Sequence, residues 1–118
     1  MFTVGTEYEG KSCVISLGGE VDLYTAPEFK SELLGAIDRG ATHVIVDFSE
    51  TTFIDSTTLG VLVGGVKRLR TTGGDLTLVC SARSITKIFE ITGLDRVFTI
   101  HDSRDAALAA LGTSQPAS

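Results

Sequence analysis

His43 to Phe48 is a near-continuous apolar run with β-branched residues at Val44, Ile45 and Val46. Such a run fits a central strand covered on both faces. Beyond it, Leu59, Leu62, Val63, Val66 and Leu69 recur at three- and four-residue spacing, which predicts a helix of roughly four turns. A strand covered on both faces and then a helix is the signature of a layered α/β domain.

The same two periodicities alternate along the rest of the chain. Val4 to Tyr8 and Ser12 to Leu17 read as strands joined by a hairpin turn at Glu9-Gly10-Lys11. Gly18-Gly19-Glu20-Val21-Asp22 then leads the chain out of the second strand. Thr25-Ala26-Pro27-Glu28 offers a threonine N-cap, proline in the first turn and glutamate three residues on. Phe29, Leu33, Leu34 and Ile37 supply that helix's apolar stripe, and Arg39-Gly40 stops it. Gly73-Gly74 ends the long helix, and Leu76 to Cys80 is the next strand. Ile85, Ile88 and Phe89 mark a helix stopped at Gly93, Val97 to Ile100 a last strand, and Asp102 the cap of an alanine-rich helix to about Leu111. The order β-β-α-β-α-β-α-β-α predicts an α/β fold: a mixed sheet with an initial β-hairpin and crossover helices mainly on one face. Residues 1–111 form the one domain that 118 residues support, and the small polar segment 112–118 is expected to be disordered.

Charge and composition narrow the function. Ten basic against fifteen acidic residues give −5, which argues against electrostatic attraction to nucleic acid or an anionic membrane. Lys67, Arg68 and Arg70 do cluster, but in the last turns of a helix, where cations complement the dipole. Cys13 and Cys80 fall inside apolar strand patterns and read as buried reduced thiols, with no metal-ligand spacing. Met1 to Gly5 shows no signal-peptide pattern and no run reaches a membrane span, so a cytoplasmic protein is expected.

Chemistry concentrates at Asp55-Ser56-Thr57-Thr58-Leu59, where the long helix opens. A serine there can cap the helix, or carry a phosphate that the free N–H groups and the dipole favour. A serine hydrolase is disfavoured: there is no G-x-S-x-G elbow, and His43 and His101 lie at element ends. Asp47 sits where a phosphoryl-relay receiver carries its aspartate, yet the acidic pair and late lysine of a receiver are missing. Its carboxylate is read instead as satisfied by loop N–H groups. No P-loop or dinucleotide fingerprint calls for a cofactor, so a catalytic role is not expected. That leaves modification of Ser56. No Glu or Gln follows at capping-box spacing, and Glu50 and Asp55 make the surroundings acidic, so about −1.5 to −2 added charges would repel a partner. On the same helix, Gly60 and Gly64 share a face that permits close approach of a packing neighbour, while Val61 lies off the main stripe beside Ser56.

Phe53-Ile54-Asp55-Ser56-Thr57-Thr58-Leu59-Gly60-Val61-Leu62 resembles the signature of the STAS-domain anti-sigma-factor antagonists, or anti-anti-sigma factors. Gly19-Glu20-Val21-Asp22 with Thr25-Ala26 looks like that family's loop into its first helix, and Ile88 to Leu94 like its late helix and turn; the similarity spans roughly residues 3 to 111. The resemblance implies a STAS fold and a partner-switching phosphoprotein in stress-responsive transcription regulation. In its unphosphorylated form such a protein binds an ATP-dependent anti-sigma serine kinase and so frees a sigma factor. Phosphorylation by that kinase releases it, and a phosphatase restores binding. Carried over by position, Ser56 is the phosphoacceptor, Asp55 its acidic neighbour, and Thr57, Thr58 and Val61 belong to the docking helix. Asp22 matches the acidic loop position near the switch. Many members have glycine where this chain has Thr58, so Thr57 or Thr58 can compete as acceptor and partner choice can differ. The other reading is a STAS scaffold or ligand-sensing module that does not switch.

Overall fold

The structure, a computed structural model, describes residues 1–114. Strands β1 (Phe2–Glu9) and β2 (Ser12–Val21) pair antiparallel around Gly10, whose φ of 61° lies in the left-handed region that glycine adopts without strain. Strands β3 (His43–Ile54), β4 (Asp75–Val79) and β5 (Thr99–His101) then add in parallel, giving a five-stranded mixed sheet in chain order. Each parallel connection steps one strand the same way. Right-handed crossovers therefore place α1 (Ala26–Asp38), α2 (Ser56–Arg70) and α3 (Arg83–Thr92) together on one face. Helix α4 (Arg104–Ser114) covers the other, with Ala107 and Leu111 against Ile45 and Val79.

The main core lies between the sheet and the first three helices. Cys13, Ile15 and Leu17 of β2 and Val44, Val46 and Phe48 of β3 point into it and meet Phe29, Leu33, Leu62, Val66 and Leu69. Each such side chain, fully buried, contributes about 1.5–3 kcal/mol. Phe89 bridges Phe48 and Phe98 with ring centroids 6.2 and 6.4 Å apart, joining α3 to the sheet. Where α1 crosses α2 the contact is closest at Gly65: a Cβ there would lie 2.5 Å from Leu33 Cδ2. That corrects the expectation for Gly60 and Gly64, which are exposed and have no atom of another element within 4 Å of a Cβ. Burial pushes the Cys13 thiol up to about 11 and raises that of Cys80, so neither offers a reactive thiolate at neutral pH.

Several boundaries differ from the sequence expectation, each for a long-range reason. Gly18-Gly19 does not end β2; it forms an irregularity within it, and the strand continues to Val21. Gly19 has φ 81°, and a Cβ there would collide with the Met1 carbonyl. Strand β3 likewise runs past Phe48 to Ile54, held where the Thr51 hydroxyl donates to the Leu17 carbonyl at 2.7 Å. A 3-10 turn, Leu94–Arg96, occupies the approach to β5, which shortens that strand to Thr99–His101 and puts His101 inside it. At α4 the cap is Ser103, whose Oγ accepts from the Ala106 amide, and not Asp102. The helix continues to Ser114, past the expected end at Leu111; the tail residues 115–118 lie outside the described residues.

Candidate functional site

Val21 pairs with Ile54, so β2 and β3 end side by side and the next residues, Asp22 and Asp55, open two adjacent loops. Asp55 is the N-cap of α2. Its Oδ1 accepts from the amides of Thr57 and Thr58 at 3.0 and 3.3 Å, and its Oδ2 accepts from the Leu23 amide at 3.0 Å. One carboxylate thus caps the helix and ties the β2–α1 loop to it. Asp22 organises that second loop, accepting from the amides of Tyr24 and Thr25 at 2.9 and 3.2 Å. Thr25 stands at the α1 N-cap position, but its side chain makes no capping bond; Oγ1 accepts from the Asp22 amide and donates to the Glu20 carbonyl.

Ser56 is therefore the first residue inside α2, not its cap, and it is exposed. Its neighbours face other ways. Thr57 is half-buried, and Thr58 is fully buried with Oγ1 donating to the Val21 carbonyl at 2.7 Å. This corrects the placing of Thr58 on the docking helix and as a rival phosphoacceptor: its hydroxyl is inside the fold. It also corrects the expectation that free N–H groups of the first turn would receive a phosphate, since two of them already serve Asp55. Val61 is half-buried one turn along, beside the exposed Gly60. Of the predicted set, the fold brings Asp22, Asp55, Ser56, Thr57 and Val61 to one end of the molecule.

Around Ser56 the surface is unusual for its exposed apolar groups. Leu23 is 62% exposed, Tyr24 88% and Phe53 46%. Sequence reasoning passed over all three. The signal was available: Leu23 and Tyr24 fall between two loop-capping residues, outside any helical stripe, where no core can cover them. The residues that open the two loops, Asp22 and Asp55, are both acidic, whereas Glu50, expected beside Ser56, lies within β3 opposite Gly18 and borders the pocket that Asp47 and Arg104 line. His43 stands at the far end of β3, roughly 35 Å from Ser56 at a strand's rise of about 3.3 Å per residue. His101 lies on β5, two strands away, so neither histidine is placed beside Ser56 as a base.

Asp47 belongs to a different region. It is on the face covered by α4, with its side chain only 8% exposed. Oδ1 accepts from the amide and hydroxyl of Ser49, and Oδ2 from Arg104 Nε and Nη2 at 3.3 and 3.2 Å. Arg104 also donates to Ser16 Oγ at 2.6 Å. The expected satisfaction by loop amides is thus one strand amide, a hydroxyl and a guanidinium 57 residues away.

The comparisons agree with this architecture. The STAS domain profile matches residues 5–107. BtrV of Bordetella bronchiseptica, described as a candidate anti-sigma factor antagonist, is 32% identical over 103 residues, covering 87% of this chain and 89% of its own. An anti-sigma factor antagonist from Mycobacterium paratuberculosis superposes with a TM-score of 0.86 at 24% identity, covering 93% of each chain. SpoIIAA, an anti-sigma factor antagonist, superposes in its unphosphorylated form at 0.74 (22% identity, 98% of this chain and 100% of its own) and in its phosphorylated form at 0.73. The chain belongs to the STAS domain family, among its anti-sigma factor antagonists. Among the described residues no helix is long and apolar enough to cross a membrane.

Proposed function

We propose that this protein is a partner-switching regulator of transcription whose switch is Ser56. Unphosphorylated, it binds an anti-sigma serine kinase through the end of the molecule that carries Ser56, Asp22, Asp55, Thr57 and Val61, with Leu23, Tyr24 and Phe53 as apolar anchors. The sigma factor held by that kinase is then free. The kinase transfers the γ-phosphoryl group of ATP to Ser56 Oγ; the hydroxyl proton is lost, ADP leaves, and the protein lets go. A phosphatase hydrolyses the phosphoserine and restores binding. Dependence on ATP puts the cycle in the cytoplasm, and the protein itself performs no chemistry.

One observation carries the reading: at the start of α2 the Ser56 side chain is exposed, while Thr57 is half-buried, Asp55 is engaged by three amides and Thr58 is buried. A phosphate on Ser56 adds about −1.5 to −2 charges beside Asp55 and the acidic Asp22 of the adjoining loop. Because Asp55 already holds the Thr57 and Thr58 amides, the charge faces the partner and its effect is repulsion. SpoIIAA, which shares the fold, occurs in both phosphorylated and unphosphorylated forms, in keeping with such a cycle. The test is affinity capture from source cells with wild type and Ser56→Asp as baits. We expect wild type to retain an ATP-binding kinase that Ser56→Asp loses, and Ser56→Ala to bind it without being phosphorylated. Equal retention by wild type and Ser56→Asp, or phosphorylation of Ser56→Ala, would sink the assignment.

A further inference from the structure

Between α1 and α2 lies an open groove of about 760 Å³ that starts at Thr57, the residue after Ser56. Leu34 and Val61, both half-buried, provide apolar walls. Gly60 and Gly64 leave its α2 side bare to the backbone. Neither glycine has a positive φ, and a Cβ at either would meet nothing, so neither the backbone nor internal packing requires glycine there. The charges at the groove are both positive: Lys30 from α1 and Arg68 from α2. In a chain of net charge −5, with Asp22 and Asp55 opening the loops beside Ser56, the groove's own charges are of the opposite sign. Arg68 does pair with Asp38 at 3.4 Å, but both side chains are more than half exposed, so the pair holds Arg68 only weakly.

An apolar trough between two helices, open to backbone approach and lined by cations, matches a helix-in-groove mode of recognition. The occupant must bring an apolar face and acidic flanks. We propose that the α1–α2 groove takes an acidic amphipathic helix of the anti-sigma kinase, extending the docking surface from Ser56 along α2 to Arg68. The inference rests on the partner-switching reading, and it gives that reading a mechanism of release. A phosphate on Ser56 stands at the mouth of the groove and opposes an acidic occupant, as it would not oppose a neutral or basic one.

Gly64→Leu separates this contact from the fold, because it puts bulk into the open groove from a position where a Cβ meets no neighbour within 4 Å. Its melting temperature should be no lower than wild type, while its affinity for the purified kinase falls at least about tenfold, as expected when a buried contact is blocked. The double variant Lys30→Glu, Arg68→Glu should bind several-fold more slowly at low salt, with the deficit shrinking at high salt. A photo-crosslinker at position 60 should label an acidic helical segment of the kinase. Full affinity in Gly64→Leu, with Ser56→Asp still unable to bind, would overturn the groove and leave the switch standing. Labelling of a second copy of this chain, or of a kinase segment without acidic residues, would overturn it equally. Failure of wild type to bind the kinase would overturn both readings.

Discussion

Asp47 and Asp55 sit eight positions apart, one within β3 and one just past its end, and their surroundings could hardly differ more. Asp47 is buried against the guanidinium of Arg104, and its second oxygen is filled by Ser49. Among the described residues Asp55 pairs with no cation; its oxygens hold backbone amides of α2 and of the loop at Leu23. The first arrangement neutralises a charge with a side chain and pins α4 to the sheet. The second leans on amide dipoles at a helix terminus, leaving net negative charge at the surface. A further negative group would add to the charge at the second site and leave the first untouched, in keeping with the switch proposed at Ser56 and not on the buried Asp47.

The largest expected effect in a test of this contrast comes from the buried pair. Arg104→Met removes the partner of a carboxylate that water scarcely reaches, and should cost about 2–3 kcal/mol of stability by urea unfolding. Binding of the kinase should be unchanged. A loss of affinity larger than the loss of stability explains would show that the two regions are coupled and would break the comparison.

Asp55→Ala attacks the other carboxylate. Loss of the N-cap should cost about 1–2 kcal/mol. Because Asp55 also holds the Leu23 amide, hydrogen exchange should speed up at Leu23 and in the first turn of α2 together, while the amides of α4 stay protected. Exchange confined to α2 would mean that Asp55 does not tie the two loops.

How much of this was legible in the sequence follows the range of each interaction. The element order, the hairpin and the one-sided crossover helices came from period-two and period-3.6 patterns, which are local. The extension of β2 through Gly18-Gly19 was not, because a bulge and a strand exit carry the same glycine signal, and only the register against β3 separates them. Asp47 and Arg104 meet only once the sheet is assembled, so no spacing rule announces them. Thr58 is a different kind of miss. Thr58, Leu62, Gly65 and Leu69 run at spacings of four, three and four, and all are buried. The pattern was there to be read, but Thr58 is placed on the docking helix by position in the family signature, which says nothing of which way a side chain faces.

That correction yields the smallest and sharpest test. Thr58→Val keeps the shape of the side chain and removes its hydroxyl, leaving the Val21 carbonyl without its donor at 2.7 Å. The expected cost is about 1 kcal/mol, the usual net worth of a buried hydrogen bond. Val21 is the last residue of β2 and Asp22 the first of the loop, so the bond helps to set where the loop leaves the sheet. It does so from inside. Kinase affinity and the stoichiometry of phosphorylation should therefore match wild type once the folded fraction is equal, whereas a residue of the docking face would show a defect in affinity at full folding. Reduced phosphorylation of folded Thr58→Val would return Thr58 to the surface and reopen it as a rival of the exposed Ser56.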